Sequence, residues 1–488
     1  MVGESSKRAI RVTTFVLATM LVAAGCALQP AYRAPQPESV GPWQADRPHD
    51  GSASELVDWW KRFNDPAVAE LIQAAEADSP TLTQAAAAIR SARATLASNE
   101  AGLWPSVDAS ASLTRSKVSD AATQDSVIST SRSGGLDASW EIDLFGKLRN
   151  GRSAARASVE ASIDSWHDAR VSLAAEVADD YVQYRACRQL QAAYEAQTTS
   201  QQQTAQSTRL SAAAGLSART DAYLADASAA SAASTATAQR ASCERLVKSL
   251  VEVTGMDEAR LRTMLDRAGA PALPEPAQFT VDSVPADLVR QRPDLSSTER
   301  TLAADYAQIA VALADRYPSF SLSGSISVSA SNLASPTTGW SFGPSLSVPL
   351  FDAGKRRAAV DSAAATYEQQ LARHRGAVRA AVREVEQALV DLDGAAQRSG
   401  DARTAAEQYR RYASAVEGNW RAGFDSLLTV EVARRSAISA EVSLIELQRD
   451  RVRYWIALYK ALGGGWHSDR AAVETAPAGQ AASQGAKS

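Results

Sequence analysis

Histidine and cysteine are the side chains that proteins use most often for nucleophilic catalysis and for binding transition metals. The four histidines lie far apart, without a His-Glu-x-x-His or Cys/His ligand spacing: His49, His167, His374 and His467. A P-loop, a Gly-x-Ser-x-Gly elbow and a dinucleotide-binding glycine motif are also missing from the sequence. We therefore predict that the protein is not an enzyme, and that it uses no cofactor and no metal site.

Cys26 closes an N-terminal segment with the pattern of an export signal. Three basic residues precede an apolar run over residues 14–24, whose length is typical of a signal peptide and too short for a membrane-spanning helix. The run ends in Ala-Ala-Gly-Cys, which resembles a bacterial lipobox, where the cysteine sulfur is acylated before cleavage. We predict removal of residues 1–25 and a lipid anchor on Cys26; a plain signal peptide is the alternative. Alanine at position 27 favours delivery to the outer membrane, with the anchor on its periplasmic side.

Cys187 and Cys243 are each 28 residues from Gly215. If Gly215 forms the turn of an antiparallel helical hairpin, the two cysteines lie at the same height, and export would place them where disulfides form. We therefore predict that Cys187 and Cys243 are close enough to form a disulfide bond. Equal height does not fix the direction of the side chains, so two unpaired small core residues are the alternative.

The composition favours long, thin helical packing over one thick core. Of the 488 residues 45% are hydrophobic, but only 6% are aromatic and many are alanine, which buries little apolar area. The formal charge of -4 gives no electrostatic case for nucleic-acid binding. Residues 471–488, rich in Ala, Gly, Gln and Ser, are predicted to be a disordered tail.

An internal duplication organises the chain. Five matches recur in order at an offset of 213 or 208 residues: Pro80 with Pro293, Pro105 with Pro318, Gly146 with Gly354, Glu176 with Glu384, and Gly215 with Gly423. We therefore predict a first structural repeat over residues 26–270 and a second over residues 271–470. Each repeat has a short helix, two strands and two long helices.

Alternation of apolar and polar residues predicts the strands, over residues of about 105–117, 133–146, 318–331 and 340–351. This alternation gives each strand one apolar face and one polar face. The flanking Ala/Ser-rich helices offer no bulky face to cover the apolar side, so we expect lipid to cover it. Trp104, Tyr317 and Trp340 near strand ends are typical of a transmembrane barrel. A half-buried soluble sheet is the alternative.

Four strands are too few to close a membrane barrel, since the smallest use about eight. Open strand edges are not tolerated in lipid, because their backbone groups go unsatisfied. Several chains must therefore share one barrel, and three chains would supply twelve strands. The long helices are predicted over residues of about 149–213, 217–253, 355–422 and 426–462, and the longest reach on the order of 95 Å at about 1.5 Å per residue.

Five segments in order carry a resemblance to the TolC/OprM-like outer-membrane factors, of the NodT-type lipoprotein branch. They are Trp-Trp-Lys-Arg-Phe-Asn-Asp-Pro at 59–66, Trp-Glu-Ile-Asp-Leu-Phe-Gly-Lys at 140–147, Leu-Val-Arg-Gln-Arg-Pro-Asp-Leu at 288–295, Pro-Leu-Phe-Asp-Ala-Gly at 349–354 and Ala-Leu-Tyr-Lys-Ala-Leu-Gly-Gly-Gly-Trp at 457–466. The resemblance implies a mainly α protein with membrane β structure. It implies a homotrimer: a twelve-stranded outer-membrane β-barrel, four strands per chain, continuous with a periplasmic α-helical barrel and belted by a small mixed equatorial domain.

The same resemblance implies two partners, a periplasmic adaptor protein and an inner-membrane transporter of the RND type. The adaptor would dock at the hairpin tips, which correspond here to Gly215, Leu216, Ser217, Gly423 and Phe424. Glycine suits such turns because it accepts positive φ, and the adjacent apolar side chain offers a contact. Plain turns with incidental apolar residues are the alternative.

Asp425 corresponds to the aspartate ring that constricts the channel in relatives. Three copies around the axis would bring their carboxylates together in a narrow pore and attract cations. The alternative is that Asp425 caps the following helix, since an aspartate before an apolar run accepts the first-turn N–H groups. The two roles are compatible.

Acidic residues of the first strand pair would line a wet barrel lumen: Asp137, Glu141 and Asp143. The leading function is a passive export conduit for drugs or other small toxic compounds. Metal-ion efflux and type I protein secretion remain open within that class. A periplasmic coiled-coil structural lipoprotein without a pore is the alternative outside it.

Overall fold

A computed structural model describes residues 32–35, 59–61, 63–119, 126–267, 273–274 and 291–466. The predicted signal peptide, the lipidation site Cys26 and the predicted disordered tail over 471–488 lie outside the described residues. Within the described part, no helix combines the length and the apolar character that crossing a membrane requires.

The described elements repeat one order twice, with long helices after each strand pair. The first copy has α1 (Pro66–Asp78), α2 (Pro80–Ala101), β1 (Ser106–Ser119), β2 (Ser126–Ile142), α3 (Lys147–Ala213), α4 (Arg219–Thr254) and α5 (Glu258–Arg267). The second has α6 (Pro293–Ala314), β3 (Ser319–Ser331), β4 (Ala334–Ser347), α7 (Lys355–Arg421) and α8 (Leu427–Ala461). The predicted long helices agree with α3, α4, α7 and α8 to within two residues at each end.

Two compact units make up the chain, and each contains parts of both sequence repeats. The sheet unit comprises Met1–Gln36, Ala87–Ile163 and Ser297–Arg375. The core unit comprises Pro37–Ala86, Asp164–Ser296 and Gly376–Ser488. The predicted repeats are therefore equivalent halves of the sequence rather than separate folded bodies.

The sheet unit holds one antiparallel sheet in the order β1-β2-β3-β4. Two strand predictions were wrong in their bounds: β2 begins at Ser126 rather than 133, and β4 begins at Ala334 rather than 340. The missed segments are mostly polar and lack apolar alternation, since Val127 and Ile128 are adjacent, yet their backbones continue the pairing. Each of these strands also ends four residues earlier than predicted, and Pro349 cannot donate a further ladder hydrogen bond after β4. Trp340 consequently lies in the middle of β4 and not near its end.

An aromatic cluster anchors the interior of the core unit. Trp59 is fully buried, and its ring stacks on Tyr459 with centroids 5.0 Å apart and planes 15° from parallel. Trp60 meets the same tyrosine ring edge-on at 4.6 Å. Nearby, the Tyr181 hydroxyl on α3 donates to a carboxylate oxygen of Asp65 at 2.6 Å. These contacts give the segment at 59–66 a structural role: its large aromatic side chains supply the buried apolar area that the alanine-rich helices lack.

Arg292 joins three parts of the core unit. Its guanidinium donates to both carboxylate oxygens of Asp294, at 2.9 and 2.8 Å, and to Glu384 of α7 at 2.7 Å. It also donates to the backbone carbonyl of Ala461 at the end of α8, at 3.0 Å. Directly beyond, Gly463 has a φ of +80°, and a Cβ there would lie 1.8 Å from the carbonyl oxygen preceding Arg292. Only glycine fits this approach.

Candidate functional site

In the middle of the sheet, the four strands share one apolar face and one polar face. The register aligns Ala109, Leu136, Ile326 and Trp340 in one row across β1 to β4. Leu136, Ile326 and Trp340 are exposed by 50%, 49% and 79% respectively, so no other described element of this chain covers that face. A large exposed apolar surface needs another apolar phase against it.

Serine and threonine hydroxyls hold the strands together on the opposite, polar face. Cross-strand hydroxyl pairs lie 2.8 to 3.0 Å apart: Ser112 with Ser133, Ser106 with Ser139, Ser325 with Ser341, and Ser329 with Thr337. Asn332, in the turn between β3 and β4, accepts from the backbone N–H of Thr130 and donates to the carbonyl of Ile128. Hydrogen bonds thus connect neighbouring strands along the polar face, which is still exposed to solvent.

Two of the three predicted acidic residues lie on this polar face. Asp137 stands directly opposite Asp108 on one side and Ser325 on the other, and Glu141 stands opposite Ser321. Asp143 follows the end of β2, and its carboxylate accepts the backbone N–H of Arg149 at 2.9 Å and that residue's Nε at 3.2 Å. Asp143 is therefore placed at the start of α3 and is separate from the polar row.

The turns from strand to helix share one construction in the two copies. Asp352 lies in a two-residue insertion relative to the first copy, yet it takes the role of Asp143: it accepts the backbone N–H groups of Gly354 at 3.0 Å and Arg356 at 3.2 Å. Although desolvation opposes its charge, these hydrogen bonds lower the pKa of Asp352. Each long helix after a strand thus begins beside a carboxylate, which satisfies its free N–H groups.

An ion pair ties the first strand-to-helix turn to the second copy. Lys147, the first residue of α3, contacts Asp315 just after α6 at 2.7 Å. The hydrogen bond to Asp315 is the main reason that the pKa of Lys147 is raised. Phe145, two residues earlier, stacks on Tyr317 with centroids 5.0 Å apart and planes 24° from parallel. This junction was missed by sequence reasoning, because no motif links residues so distant in the chain.

The two helical hairpins end in turns with the same backbone hydrogen bonds. Gly215 and Gly423 have φ of +75° and +82°. The next residue in each turn donates its N–H to a carbonyl five residues back: Leu216 to Ser211 and Phe424 to Asn419, both at 2.9 Å. These are Schellman turns, which need glycine for the positive φ. Leu216 and Phe424 are 81% and 83% exposed, so each turn presents one large apolar side chain.

The turn residues before α4 and α8 differ in chemistry. Ser426 caps α8, since its hydroxyl accepts the backbone N–H of Thr429 at 3.1 Å. The alternative that Asp425 is the cap is therefore wrong. Within the described residues, the Asp425 carboxylate has neither a hydrogen bond nor an ion pair, and Ser217, its counterpart in the first copy, has a buried hydroxyl without a hydrogen bond.

Cys187 on α3 and Cys243 on α4 are joined by a disulfide, with Cα atoms 5.6 Å apart. Both cysteines are buried. The positions that correspond to them in the second copy are Ala395 and Arg451, so that hairpin has no such bond. The first hairpin is thus covalently fixed in register.

Comparison with known proteins decides the family. The model of the family described as outer membrane efflux protein matches residues 71–256 and again residues 284–464. The two matches cover more than half of the chain and fall one on each sequence repeat. The chain belongs to the outer membrane efflux protein family.

Relatives of this efflux protein are similar over nearly their whole length. The solvent efflux pump outer membrane protein SrpC of Pseudomonas putida is 30% identical over 466 residues, which cover 92% of this chain and 97% of SrpC. The antibiotic efflux pump outer membrane protein ArpC of Pseudomonas putida is 28% identical over 492 residues, covering 96% and 98%. The solved outer-membrane channel OprN superposes with a TM-score of 0.79 at 31% identity, covering 90% of this chain and 100% of OprN.

These matches confirm the predicted resemblance and the predicted fold class of a mainly α protein with membrane β structure. The protein is an outer-membrane component of an efflux system. Arg292 belongs to the segment at 288–295, and its ion pair with Asp294 had one signal in the sequence, the aspartate two residues further on.

Proposed function

We propose that three copies of this chain form one passive duct, which conducts small, largely apolar toxic compounds from an inner-membrane transporter to the exterior. One observation carries the proposal: the sheet has an exposed apolar face and a serine-lined polar face, and its outer strands β1 and β4 have no second partner within the described residues. Edges of this kind must be paired in lipid, and identical chains can pair them.

Closure of the barrel sets the direction of its two faces. The apolar row that contains Leu136, Ile326 and Trp340 would face lipid, and the hydroxyl ladder would face the lumen. Asp137 and Glu141 share the ladder's face, which supports a wet and acidic lumen. A lumen lined by hydroxyls and carboxylates binds apolar compounds weakly, so it lets them pass once they are delivered.

The substrate class and the partners rest on the relatives. SrpC and ArpC carry names of solvent and antibiotic efflux pump components. We infer the same class of small toxic compounds here, delivered by an RND-type transporter through a periplasmic adaptor. Leu216 and Phe424 at the two Schellman turns support adaptor docking, because each exposes an apolar side chain on a rigid turn. Cys26 would add a lipid anchor on the periplasmic side of the outer membrane.

Asp425 is the proposed constriction of the duct. Its carboxylate is free of other partners among the described residues, whereas Ser426 satisfies the start of α8. Three such carboxylates around one axis would attract cations and narrow the pore.

Single-channel conductance in planar bilayers tests the duct and the constriction together. We expect discrete steps from purified protein, and larger steps with reduced cation preference from Asp425→Ala. Ser217→Ala, at the equivalent position of the other turn, is the matched control and should leave the steps unchanged.

Two results would contradict the proposal at different levels. Unchanged steps and unchanged ion selectivity in Asp425→Ala would remove the constriction and keep the duct. Absence of steps from folded protein would remove the duct, and would favour the alternative of a non-pore periplasmic scaffold.

A further inference from the structure

One aromatic contact joins the two sequence repeats inside the chain, and the residues that correspond to it at the other ends of the repeats do not contact each other within the chain. At the end of the first strand pair, Phe145 lies three residues beyond β2 and stacks on Tyr317, which lies two residues before β3. The contact therefore joins the end of one strand pair to the beginning of the next pair in the sheet. Within one chain the end of the first pair meets the beginning of the second pair. The end of the second pair, after β4, and the beginning of the first pair, before β1, have no such contact among the described residues.

The sequence identifies the residues that correspond to this pair. Leu144-Phe145-Gly146-Lys147 corresponds to Leu350-Phe351 followed, after an inserted Asp-Ala, by Gly354-Lys355. Tyr317-Pro318-Ser319 corresponds to Trp104-Pro105-Ser106. The counterparts of Phe145 and Tyr317 are thus Phe351 and Trp104, which lie four residues beyond β4 and two residues before β1.

Both counterparts are open to solvent in the single chain. Phe351 is 91% exposed and Trp104 is 74% exposed, whereas Tyr317 is 42% exposed and Phe145 is partly buried in their mutual contact. Both also lie next to the ends of the outer strands, β4 and β1, which have no second partner among the described residues. Two large aromatic side chains are therefore presented at the positions where a neighbouring copy would add its strands.

We propose that Phe351 of each copy packs on Trp104 of the partner subunit, as the between-subunit counterpart of the Phe145–Tyr317 contact. The inference rests on the closure of a shared barrel proposed above and adds the residues that close it. Ring pairs of this kind stabilise a contact by more than the apolar area they bury. The pair would also fix the end of β4 relative to the start of β1 in the partner subunit.

The same correspondence sets the pairing of β4 with β1 of the next copy. Within the chain, Trp140 of β2 stands opposite Leu322 of β3. In the second copy Leu346 corresponds to Trp140, since each lies four residues before the leucine of the matching segment. In the first copy Ala109 corresponds to Leu322, since each lies four residues after the matching proline. Leu346 is thereby set opposite Ala109 of the partner subunit.

This register passes an independent check. Ala109 belongs to the apolar row with Leu136, and Leu346 stands opposite Phe320, which is on the same apolar face of the sheet. A shift by one residue would have joined an apolar face to a polar one. The pairing obtained from the repeat keeps the apolar face continuous from one copy to the next.

Cysteine cross-linking of the full-length protein in detergent tests the contact. Trp104→Cys and Phe351→Cys are combined in one chain, and a short bismaleimide is added. It joins two cysteines by thioether bonds, which a reducing gel does not break. We expect covalent dimers and trimers on that gel, and neither single variant should give them. Co-expression of a chain with Trp104→Cys and a differently tagged chain with Phe351→Cys should give only the mixed dimer.

Phe145→Cys combined with Tyr317→Cys is the matched control, because the two cysteines react within one chain: the band stays at the position of the monomer, and the chain gains the mass of one cross-linker. Native mass spectrometry of the same samples separates the possible failures. Trimers in which the control pair reacts but the 104/351 pair does not would overturn the contact and leave the trimeric duct standing. A monomeric mass without cross-links would overturn both.

A second measurement does not depend on cysteine chemistry. Trp104→Ala and Phe351→Ala should each lower the temperature at which the trimer dissociates on a semi-native gel. The double variant should lower it no further than the stronger single variant, since the two rings act as one contact. Additive effects would overturn the direct contact.

Discussion

Asp180 on α3 holds a proton more tightly than an ordinary aspartate. Burial is the main cause, and the charges of Asp179 and Glu176 add to it, together with Glu252 of α4; these effects raise the pKa of Asp180 to about 6, although Arg453 of α8 opposes them. Arg453 is engaged by Asp179, with N–O distances of 2.7 and 3.2 Å. The folded protein therefore binds this proton more strongly than the unfolded chain, so the free energy of unfolding falls as the pH rises from about 4 to 6 and stays lowered above pH 6.

Asp180→Asn should stabilise the core unit at neutral pH. The pKa shift of about two units corresponds to about 3 kcal/mol at most, and solvent screening reduces the expected gain to about 1 kcal/mol at pH 7.5. The gain should shrink as the pH falls through 6 and disappear only below about pH 3, where the carboxyl is protonated in both the folded and the unfolded state. Thermal unfolding followed by circular dichroism at pH 7.5 and 4.5 measures this.

Asp179→Asn is the control for this cluster. It removes the partner of Arg453 and should lower the melting temperature at pH 7.5. If Asp180→Asn were destabilising at pH 7.5 as well, the assignment of a raised pKa to Asp180 would be wrong.

At the scale of elements, the two hairpins differ in one covalent bond. The disulfide between Cys187 and Cys243 closes a loop with a sequence separation of 56, and α7 and α8 carry no equivalent bond. A cross-link of this kind restricts the unfolded state and limits sliding of one helix along the other. The hairpin of α3 and α4 should thus open less readily than that of α7 and α8.

Replacing both cysteines by serine should remove this difference. We expect a loss of about 2 to 4 kcal/mol in unfolding free energy. We also expect faster amide hydrogen exchange confined to α3 and α4, with α7 and α8 unchanged, by hydrogen-exchange mass spectrometry. Addition of dithiothreitol to the wild type should give the same pattern. Unchanged exchange in α3 and α4 after reduction would show that helix packing alone fixes the register.

Much of the element pattern could be predicted from the sequence, and the exceptions have physical causes. Alternation of apolar residues with serine predicts the inner halves of the strands, because one face must be apolar. The first part of β2, from Ser126, has its two apolar residues, Val127 and Ile128, next to each other and otherwise polar ones, so it shows no alternation, and backbone pairing with β1 holds it in the sheet. The alternative that Asp425 caps α8 was wrong, because Asp425 and Ser426 are adjacent and both residue types cap helices well.

The site was less predictable than the fold, because its key pairs are distant in sequence. Gly215 and Gly423 could be assigned to turns, since positive φ requires glycine. The Lys147–Asp315 ion pair could not be predicted, because no sequence motif around either residue indicates the other. Contacts that join the two repeats emerge only when the strands are placed side by side.

At the scale of the whole molecule, a duct that serves a pump has two separable requirements, a pore and a docking surface. Cells that lack this protein should become severalfold more sensitive to apolar toxic compounds, and the wild-type gene should restore resistance. A variant with Leu216→Asp and Phe424→Asp changes only the exposed side chains of the two turns. We expect it to conduct in planar bilayers as the wild type does and yet fail to restore resistance, as measured by minimal inhibitory concentrations.

Leu210→Asp is the control for that variant, because Leu210 is an exposed apolar residue on α3 before the turn. It should restore resistance. If the double variant also restored resistance, the turns would not be the docking surface, whereas loss of conductance in the double variant would show that the turns belong to the pore itself.

The two Schellman turns carry a consequence for how this chain could specialise. Their hydrogen bonds match, yet one presents leucine followed by serine and the other phenylalanine followed by aspartate. In the proposed trimer, six turns with one backbone geometry would alternate between two chemistries. Duplication within a single gene thus permits a division of labour that six identical half-length chains could not have: one turn is free to change for recognition while the other keeps the charge.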